Sequence, residues 1–453
     1  MNYIRKLIAI WAAKLAIIGS KLFGKKGSAA PGSIALKIYP NILKELAANV
    51  KQEVIVVCGT NGKTTTNNML YGLIAAKNYS VVCNKVGANM LEGVTTAFIN
   101  AASLWGKLNA DYACIEMDEA STVKVFDHVT PSKIIITNLF RDQLDRYGEI
   151  DITIRLLEQA LAKTPDVQLI LNGDDPLAVR FGHNTDKKCF YFGIDQDMNI
   201  HLNETKEGRF CTFCGAPLQY HYYHYSQLGD FYCDACGFKR PSPDLRAFDI
   251  SLQDGLQFKV SYNDMTTSLN INYKGFYNIY NILAALSASI LSGIDLHTAN
   301  DILNHFKPQI GRMETFDLGK PVILNLSKNP AGFNQAISTV LQDTRDKDVM
   351  VVINDNAQDG KDISWIWDVD FERLITPDIK SYIASGIRKE DVSVRFKYAE
   401  IRPFKVEGDV QSAIIDLVNR SGQVCYILVN YTALFNTQDI LKKLQKNGQW
   451  KAS

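Results

Sequence analysis

The sequence carries almost no net charge, because 49 lysines and arginines are balanced by 48 aspartates and glutamates. A strongly basic body, which would favour nucleic-acid binding by long-range attraction, is therefore excluded. Proline is also scarce, with 13 residues in 453, and low-complexity tracts are absent, so no long disordered arm is expected. Apolar residues make up 46% of the chain, which at this length predicts a globular protein of two to three domains.

Long uninterrupted apolar runs are absent as well. The most apolar stretch, residues 3–23, predicts an amphipathic helix that Lys14 interrupts, which disfavours both a secretory signal and a membrane-spanning helix. Its apolar positions are Ile4, Leu7, Ile8, Trp11, Leu15, Ile18 and Leu22, and its basic neighbours are Arg5, Lys6, Lys14, Lys21, Lys25 and Lys26. Two interpretations stay open: a helix packed on the body of the protein, or a basic helix lying on an anionic membrane surface.

The nine cysteines do not form the pattern of a disulfide framework, which favours a reducing compartment. Four of them have the spacing C-x₂-C-x₁₈-C-x₂-C, which predicts a tetrahedral structural Zn²⁺ held by Cys211, Cys214, Cys233 and Cys236. With all four positions filled by protein, such a metal has no open site for catalysis.

Two histidines, His221 and His224, lie near the cysteines and are alternative zinc ligands. Since four thiolates suffice, we expect both to be ordinary ribbon or surface residues. A nucleic-acid-binding ribbon is the rival interpretation, but Asp230 and Asp234 inside the module count against it.

A glycine-rich loop, 59-GTNGKTTT-66, follows the apolar run Val54–Cys58 and precedes a predicted helix from Thr64 to Ala76. In this strand–loop–helix order the backbone N–H groups at the helix start cradle phosphates. Lys63 would reach the β- and γ-phosphates, and the Thr64 hydroxyl would ligate Mg²⁺. The loop therefore predicts ATP and Mg²⁺ as cofactors, bound by Gly59, Thr60, Asn61, Gly62, Lys63, Thr64 and Thr65.

Further apolar runs end in polar residues, at Glu116, at Asn138 and at Asn172. Such strands, separated by helical stretches, predict a parallel sheet with its site at the carboxyl ends. Residues 248–273 alternate as antiparallel strands do, and Asn278–Leu291 reads as a long helix. Beyond residue 310, four more strand-like runs predict a second, smaller α/β domain.

Several ordered motifs resemble those of the Mur ligase and folylpolyglutamate synthase superfamily over residues 30–340. Besides the loop, they are 137-TNLFRDQLDRYG-148, the N.DD motif at Asn172, Asp174 and Asp175, 275-GFYNIYNILAA-285, 311-GRME-314 and 322-VILNLSKNPAG-332. The resemblance implies an ATP-dependent ligase, in which a carboxyl group is phosphorylated and an amine attacks the acyl phosphate.

The resemblance also implies roles for individual residues. Lys63 and Glu116 would be catalytic, with Glu116 as a second magnesium ligand beside Thr64. The nucleotide would further contact Asn138, Asn278 through its adenine, and Arg312 through its phosphates. Bland alternatives stay open: a solvated strand end for Glu116, a helix cap or core amide for Asn278, and an ion pair at a domain interface for Arg312.

The sequence departs from the superfamily pattern at four places. Gln143 and Tyr277 replace two histidines, while Asn325 and Lys328 replace the aspartate and histidine of a DYAH motif. Because neither Gln143 nor Asn325 carries a negative charge, these positions do not predict a second metal site. The short segment before the loop also leaves no room for a full domain that binds a UDP-linked substrate.

These departures and the inserted cysteines resemble one branch, the ligase-like subunits of lipid II isoglutaminyl synthases. That resemblance implies ATP-dependent amidation of the D-glutamate α-carboxyl in the lipid II stem peptide, a step of peptidoglycan biosynthesis. It further implies ammonia from a GatD-type class I glutaminase partner in a heterodimer, no nucleic acid, and a cytoplasmic location at the inner face of the membrane. Two other functions stay open: an amino-acid ligase, and a nucleotide-binding scaffold that activates a glutaminase without chemistry of its own.

An acidic loop in 352-VINDNAQDGKDISWIWD-368 has a role only through this resemblance. An aspartate of the loop would reach the partner's catalytic Cys–His pair and orient its histidine, with Asp355 as first choice and Asp359 and Asp362 as second choices. The alternative is a turn rich in Asp and Asn that packs on Trp365 and Trp367.

The predicted architecture is α/β and has three parts. Residues 1–45 form the amphipathic helix and a linker. Residues 46–309 form a P-loop domain of the Mur ligase type, with a Cys₄ zinc ribbon inserted at about 205–245. Residues 310–453 form a smaller Rossmann-like α/β domain that contacts the partner.

Overall fold

A computed structural model describes most of the chain. The described residues are 2–22, 27–85, 88–141, 150–183, 185–198, 208–253, 255–295, 298–305, 311–356 and 358–448. Gln143 and the rest of segment 142–149 lie outside them, as do residues 307–310 before the GRME motif.

The described residues form two large sheets with helices on both faces of each. In chain order the elements of the first part are α1 (Asn2–Leu22), α2 (Ala30–Ile38), α3 (Ile42–Ala47), β1 (Val50–Cys58), α4 (Lys63–Ala75), β2 (Val81–Cys83), α5 (Leu91–Ala101), β3 (Ala110–Glu116), α6 (Glu119–Val125), β4 (Lys133–Ile136), α7 (Ile150–Ala162), β5 (Gln168–Asn172), α8 (Pro176–Val179), β6 (Cys189–Ile194), β7 (Gln219–Tyr225), β8 (Leu228–Tyr232), β9 (Leu245–Ser251), β10 (Leu256–Tyr262), β11 (Met265–Ile271), α9 (Tyr277–Leu291) and α10 (Ala299–His305). Those of the second part are β12 (Glu314–Asp317), β13 (Pro321–Leu326), α11 (Pro330–Gln342), β14 (Lys347–Val352), β15 (Ile379–Ser385), α12 (Lys389–Tyr398), β16 (Lys405–Glu407), α13 (Val410–Val418), β17 (Val424–Val429) and α14 (Tyr431–Asn447).

The larger sheet has nine strands in the order β11-β10-β9-β6-β5-β4-β1-β3-β2. The seven strands from β9 to β2 pair in parallel, and β10 and β11 extend the edge in antiparallel fashion. Because helices cover both faces, the central strands are continuously apolar; Val54–Cys58 is buried throughout. β1 lies at the centre, so the loop that follows it emerges at the carboxyl edge of the parallel strands.

The smaller sheet has six strands in the order β12-β13-β17-β14-β15-β16. Five pair in parallel and β12 is an antiparallel edge strand. Separate apolar clusters lie on its two faces, one with Phe333 and Phe396 and the other with Ile414 and Leu441. The fold is therefore α/β with two mixed sheets.

The first helix packs with a face that the sequence pattern did not single out. Its buried side chains are Ala9, Ile10, Ala13 and Ile17, whereas six of the seven predicted apolar positions are exposed. Two of the four buried residues are alanines, whose small side chains allow the helix to approach α2 closely. No helix among the described ranges is long and apolar enough to cross a membrane.

Candidate functional site

The glycine-rich loop joins the centre of the larger sheet to α4, and two glycines give it its shape. Gly59 and Gly62 have φ angles of +118° and +85°, which side chains other than glycine rarely adopt. A Cβ on Gly59 would lie 2.3 Å from the Thr137 hydroxyl, and one on Gly62 would lie 2.0 Å from the Asn281 side-chain oxygen. Both glycines are therefore required by the backbone and by close neighbours.

The segment after β4 holds this loop from one side. Asn138 accepts the N–H of Asn61 at 2.9 Å with its side chain and the N–H of Thr60 at 2.8 Å with its carbonyl. The Thr60 hydroxyl donates to the carbonyl of Phe140 and accepts the N–H of the same residue, at 3.0 and 2.9 Å. Thr137 donates to the Asn61 carbonyl at 2.7 Å. Asn138, predicted as a nucleotide contact, is thus in place to shape the loop.

Glu116 lies at the end of β3, buried beside the loop. Asn89 donates to one of its carboxylate oxygens at 3.2 Å, while the other oxygen, Oε2, is buried and accepts no hydrogen bond from the described residues. Burial raises the pKa of Glu116, and the nearby Lys63 and the Thr64 hydroxyl act against that rise. A carboxylate oxygen without a donor beside a threonine hydroxyl suits a hard cation such as Mg²⁺, so the residues fit the predicted ligand set.

Lys63 is also buried, and a residue that the sequence analysis missed holds it. Oxygen Oε1 of Glu119 accepts the Lys63 ammonium at 2.9 Å and also the N–H of Gly59 at 2.7 Å. Burial alone would lower the pKa of Lys63, but Glu119, Asp118 and Glu116 together raise it. Spacing offered one signal for Glu119, because it begins the helix immediately after the strand that ends in Glu116.

The N.DD motif lies behind the loop and has a structural role here. Asn172 donates to the Thr137 carbonyl at 3.0 Å, and Asp175 caps α8 and accepts the N–H of Leu139 at 2.8 Å. Asp174 is fully buried and accepts hydrogen bonds from Arg240 and Tyr280, each at 2.7 Å. These contacts fix the edge of the sheet from which the loop emerges.

His224 lies in strand β7 of the inserted hairpin, as a ribbon residue would, but inside the protein and not on its surface. It is fully buried, with Nδ1 at 2.6 Å from the Tyr280 hydroxyl and Nε2 at 2.9 Å from the Gln196 carbonyl. His221 is exposed, as expected, and lies 3.0 Å from Asp230.

Residues of the second sheet and of α9 complete the site. The side-chain amides of Asn61 and Asn329 pair reciprocally at 3.3 and 3.1 Å, which joins the loop to the start of α11. Lys328 lies close enough to Glu116 to oppose the rise in its pKa. Arg312 acts in the same way on Tyr277, whose pKa burial raises, so the arginine of the GRME motif lies near the start of α9.

Asn278 is buried and its amide is already bonded within the chain. It donates to the Lys274 carbonyl at 2.8 Å and accepts from Asn281 at 2.9 Å. This matches the helix-cap or core-amide alternative in geometry, and the adenine contact stays a prediction. Asn325 is buried at the end of β13, and its side-chain oxygen accepts no hydrogen bond from the described part of the chain.

The four cysteines of the insertion converge. Their sulfur atoms all lie within 4.8 Å of one another, with Cys211 to Cys236 and Cys214 to Cys233 both at 3.5 Å. Ligands at about 2.3 Å from a tetrahedral Zn²⁺ would be separated by roughly 3.8 Å, which the cluster fits. Matching turns hold both pairs, because Gly215 and Gly237 each have a φ of +76°.

The three candidate aspartates of the second part lie in different settings. Asp359 is buried and accepts the N–H of Thr432 at 2.9 Å, so it fixes the start of α14. Asp362 accepts the N–H of Ser364 at 2.8 Å, and this bond lowers its pKa. Asp355 follows β14, is half-buried, and has Arg388 at 3.5 Å. Asn354 beside it is held by the N–H of Ile387 at 3.0 Å.

The fold and this site define a class. A family model described as the Mur ligase middle domain matches residues 57–234. A pseudomurein peptide ligase type C from Methanothermus fervidus superimposes with a TM-score of 0.70, at 23% identity over 88% of this chain and 80% of that chain. MurF from Thermotoga maritima, solved in complex with ADP, superimposes with a TM-score of 0.65, at 14% identity over 93% and 85%. The chain therefore has the fold of the Mur ligases.

Relatives with higher sequence identity place the chain in a narrower family. The chain is 37% identical to the MurT subunit of the glutamine-hydrolysing lipid II isoglutaminyl synthase of Staphylococcus aureus strain COL, over 98% of this chain and 100% of that protein. It is 34% identical to the subunit of the same name from Streptococcus pneumoniae, over 93% of each chain. A family model described as the MurT ligase C-terminal domain matches residues 326–434. The chain belongs to the MurT family.

Proposed function

We propose that this chain is the ATP-dependent subunit that amidates the α-carboxyl of D-glutamate in the lipid II stem peptide, giving D-isoglutamine. The observation that carries the proposal is the 37% identity to the MurT subunit of the Staphylococcus aureus lipid II isoglutaminyl synthase, over 98% of this chain. The site supports it, since a phosphate loop, a buried carboxylate and a buried lysine meet at one edge of the larger sheet.

The chemistry proceeds in two balanced steps. A carboxylate oxygen of the substrate takes the γ-phosphoryl group of ATP, and ADP leaves. The nitrogen of ammonia then attacks the acyl carbon, phosphate leaves, and a proton is lost to give the amide. Lys63 and the loop N–H groups hold the phosphates in line, and Glu116 with the Thr64 hydroxyl would hold Mg²⁺, which neutralises phosphate charge.

Ammonia suits the residues on the second sheet. It is small and neutral, so it needs no pocket for an amino-acid side chain or carboxylate.

We propose that a GatD-type class I glutaminase supplies the ammonia and that Asp355 reaches the catalytic Cys–His pair of this partner. In support, Asp359 and Asp362 are bonded to the backbone of their own domain, whereas the partly exposed Asp355 carboxylate contacts a side chain, Arg388 at 3.5 Å, on a loop that Asn354 pins.

The same proposal covers the architecture and the metal. The residues 46–309 would be the ATP-binding domain, and 310–453 a Rossmann-like domain for the partner, which the parallel strands with helices on both faces support. The cysteine cluster would be a zinc ribbon. Elemental analysis of the purified chain should give one zinc per molecule, which Cys211→Ser removes and Cys189→Ser leaves in place.

Mass spectrometry of lipid II tests the function. The substrate is incubated with this chain, ATP and Mg²⁺, with either the glutaminase and glutamine or ammonium alone. A product about one mass unit lighter in both reactions, lost with Lys63→Ala, would place the ligase chemistry here. Turnover with an amino acid but with neither nitrogen source would overturn the proposal, as would ATP binding without any hydrolysis in the complete mixture.

A further inference from the structure

Helix α1 has two apolar faces, and the body of the protein covers one of them. Ala9, Ile10, Ala13 and Ile17 are buried. On the opposite side of the helix a second set of apolar side chains falls within an arc of about 80° at 100° per residue. These are Ile4, Ile8, Trp11, Leu15, Ile18 and Leu22, with exposed fractions between 44% and 80%.

The turn that follows helix α5 extends this exposed set. Leu104 and Trp105 are 59% and 68% exposed, and they lie next to the first half of α1. The Trp11 ring N–H donates to the Leu104 carbonyl at 2.8 Å, and the Tyr3 hydroxyl donates to the Trp105 carbonyl at 3.4 Å. We call the six exposed side chains of α1 together with Leu104 and Trp105 the N-terminal apolar face. Contiguous apolar surface of this kind marks an interaction site.

The charge around the N-terminal apolar face indicates what it meets. The first 44 residues contain eight lysines and arginines and no acid, and the first acidic residue is Glu45. Lys6 is paired with Glu45 at 3.0 Å. By helical spacing Arg5 lies on one side of the exposed stripe and Lys14 on the other, so basic groups flank it. Tryptophan within an apolar surface that basic groups flank is typical of the membrane–water interface.

A second copy of the chain fits this surface less well. A two-fold symmetric contact places the same patch against itself, so the flanking basic groups of one copy would face those of the other. With no acidic residue in the segment, nothing there compensates that repulsion.

We propose that the N-terminal apolar face lies on the surface of an anionic bilayer, with α1 parallel to the membrane plane. The buried face of α1 ties the helix to the larger sheet, so this contact would hold the phosphate loop near the membrane. The lipid-linked nature of the substrate rests on the proposed function; the surface contact itself does not.

Vesicle sedimentation tests the contact directly. The full chain is mixed with vesicles of phosphatidylglycerol and phosphatidylcholine, or of phosphatidylcholine alone, both without substrate. We expect at least tenfold stronger partition to the anionic vesicles, weakened by salt, and a comparable loss with Leu15→Ser/Ile18→Ser. The control Ile375→Ser/Val394→Ser removes apolar side chains of similar exposure elsewhere and should leave partition unchanged. Melting temperatures of both variants establish that they fold.

Amidation assays separate this inference from the proposed function. If the inference holds, Leu15→Ser/Ile18→Ser amidates detergent-solubilised lipid II at the wild-type rate but is slow on lipid II in vesicles. Wild-type chain that amidates in detergent yet does not bind vesicles, or binds both vesicle types equally, overturns the membrane contact and leaves the function standing. A wild type that binds anionic vesicles but amidates nothing overturns the proposed function and leaves the membrane contact standing. Self-association lost in the α1 variant, without vesicle binding in the wild type, overturns the contact in favour of a dimer.

Discussion

At the scale of single residues, Glu119 occupies with one oxygen the groups that a phosphate needs. Its Oε1 accepts both the Gly59 N–H and the Lys63 ammonium, at 2.7 and 2.9 Å. A phosphate oxygen bound by the loop would compete for the same two donors. Glu119 must therefore withdraw from at least one of them when nucleotide binds, and its carboxylate opposes binding.

Replacing Glu119 by glutamine should tighten nucleotide binding. The amide keeps the size of the side chain but removes the charge that holds Lys63, so competition with phosphate falls. We expect ADP to bind roughly tenfold more tightly, or about 1.4 kcal/mol, in isothermal titration without magnesium. Glu116→Gln is the matched comparison: it removes a nearby charge that accepts neither donor, so it should tighten magnesium-free ADP binding less than Glu119→Gln does. Weaker ADP binding by Glu119→Gln would show that the glutamate assists the phosphate site instead.

Some residues of the site can be recognised from short sequence motifs, whereas others are brought to it only by the fold. The loop from Gly59 to Thr65 and Glu116 could be predicted because glycine, lysine and a carboxylate at a strand end carry their chemistry in the order of the chain. Asn281, which crowds Gly62, lies 219 positions away from it, and Glu119 reaches the loop because β3, which it follows, pairs with β1. Those partners depend on sheet order, which apolar periodicity does not determine.

At the scale of elements, the hairpin β7–β8 connects the cysteine cluster to the phosphate loop. Gln227 at its tip is buried and donates to the Leu139 carbonyl at 2.7 Å. The next residue, Phe140, exchanges hydrogen bonds with Thr60 of the loop. The insertion was predicted as a structural zinc ribbon, and its hairpin tip also supports the site. The sequence offered no sign of this, because a single glutamine between Ser226 and Leu228 belongs to no motif.

Removing Gln227 should weaken both stability and nucleotide use. Gln227→Ala leaves the buried Leu139 carbonyl without its side-chain donor, which costs about 1–3 kcal/mol of unfolding free energy. The loosened 139–140 segment should also raise KM for ATP, measured beside a urea denaturation curve. His221→Ala, on the same hairpin but exposed, should change the unfolding free energy by less than about 0.5 kcal/mol. Equal effects of the two changes would refute the support role of the hairpin tip.

Helix α1 shows a second limit of pattern analysis. The spacing of large apolar residues correctly predicted a helix, but the packed face consists of Ala9, Ile10, Ala13 and Ile17. Periodicity reports that a helix is amphipathic; it does not say which of two apolar faces meets the protein. The strands of the second part were predicted more accurately than the packed face of this helix. The four apolar runs after residue 310 all lie in β13, β14, β15 and β17 or adjoin them.

At the scale of the whole molecule, Asp355 offers a test of how the two activities are divided. If it orients the histidine of the glutaminase partner, Asp355→Asn should lower glutamine-dependent amidation by on the order of 10²–10⁴-fold, as loss of the acidic member does in a catalytic triad. Amidation with ammonium should be unchanged, because the phosphate loop lies on the other sheet. Asp362→Asn is the control and should leave both rates intact. An equal fall with glutamine and with ammonium would mean that the carboxylate serves only the fold.

The two sheets meet across the site through the paired amides of Asn61 and Asn329, with Arg141 and Asp368 in contact at 3.3 Å on another path. Asn329 also caps α11 by accepting the N–H of Gly332 at 2.8 Å, so its removal has two effects. Asn329→Ser keeps a capping hydroxyl but cannot reach Asn61, whereas Asn329→Ala loses both contacts.

If the amide pair joins the sheets during catalysis, the effects of Asn61→Ala and Asn329→Ser on the rate should not be additive. A double-mutant cycle on kcat/KM with ammonium should give a coupling of about 0.5–1.5 kcal/mol. Asn329→Ala should lower the melting temperature further than Asn329→Ser at equal loss of rate. Additive effects of Asn61→Ala and Asn329→Ser on the rate would mean that the sheets are positioned for chemistry by other contacts, such as that of Arg141 with Asp368.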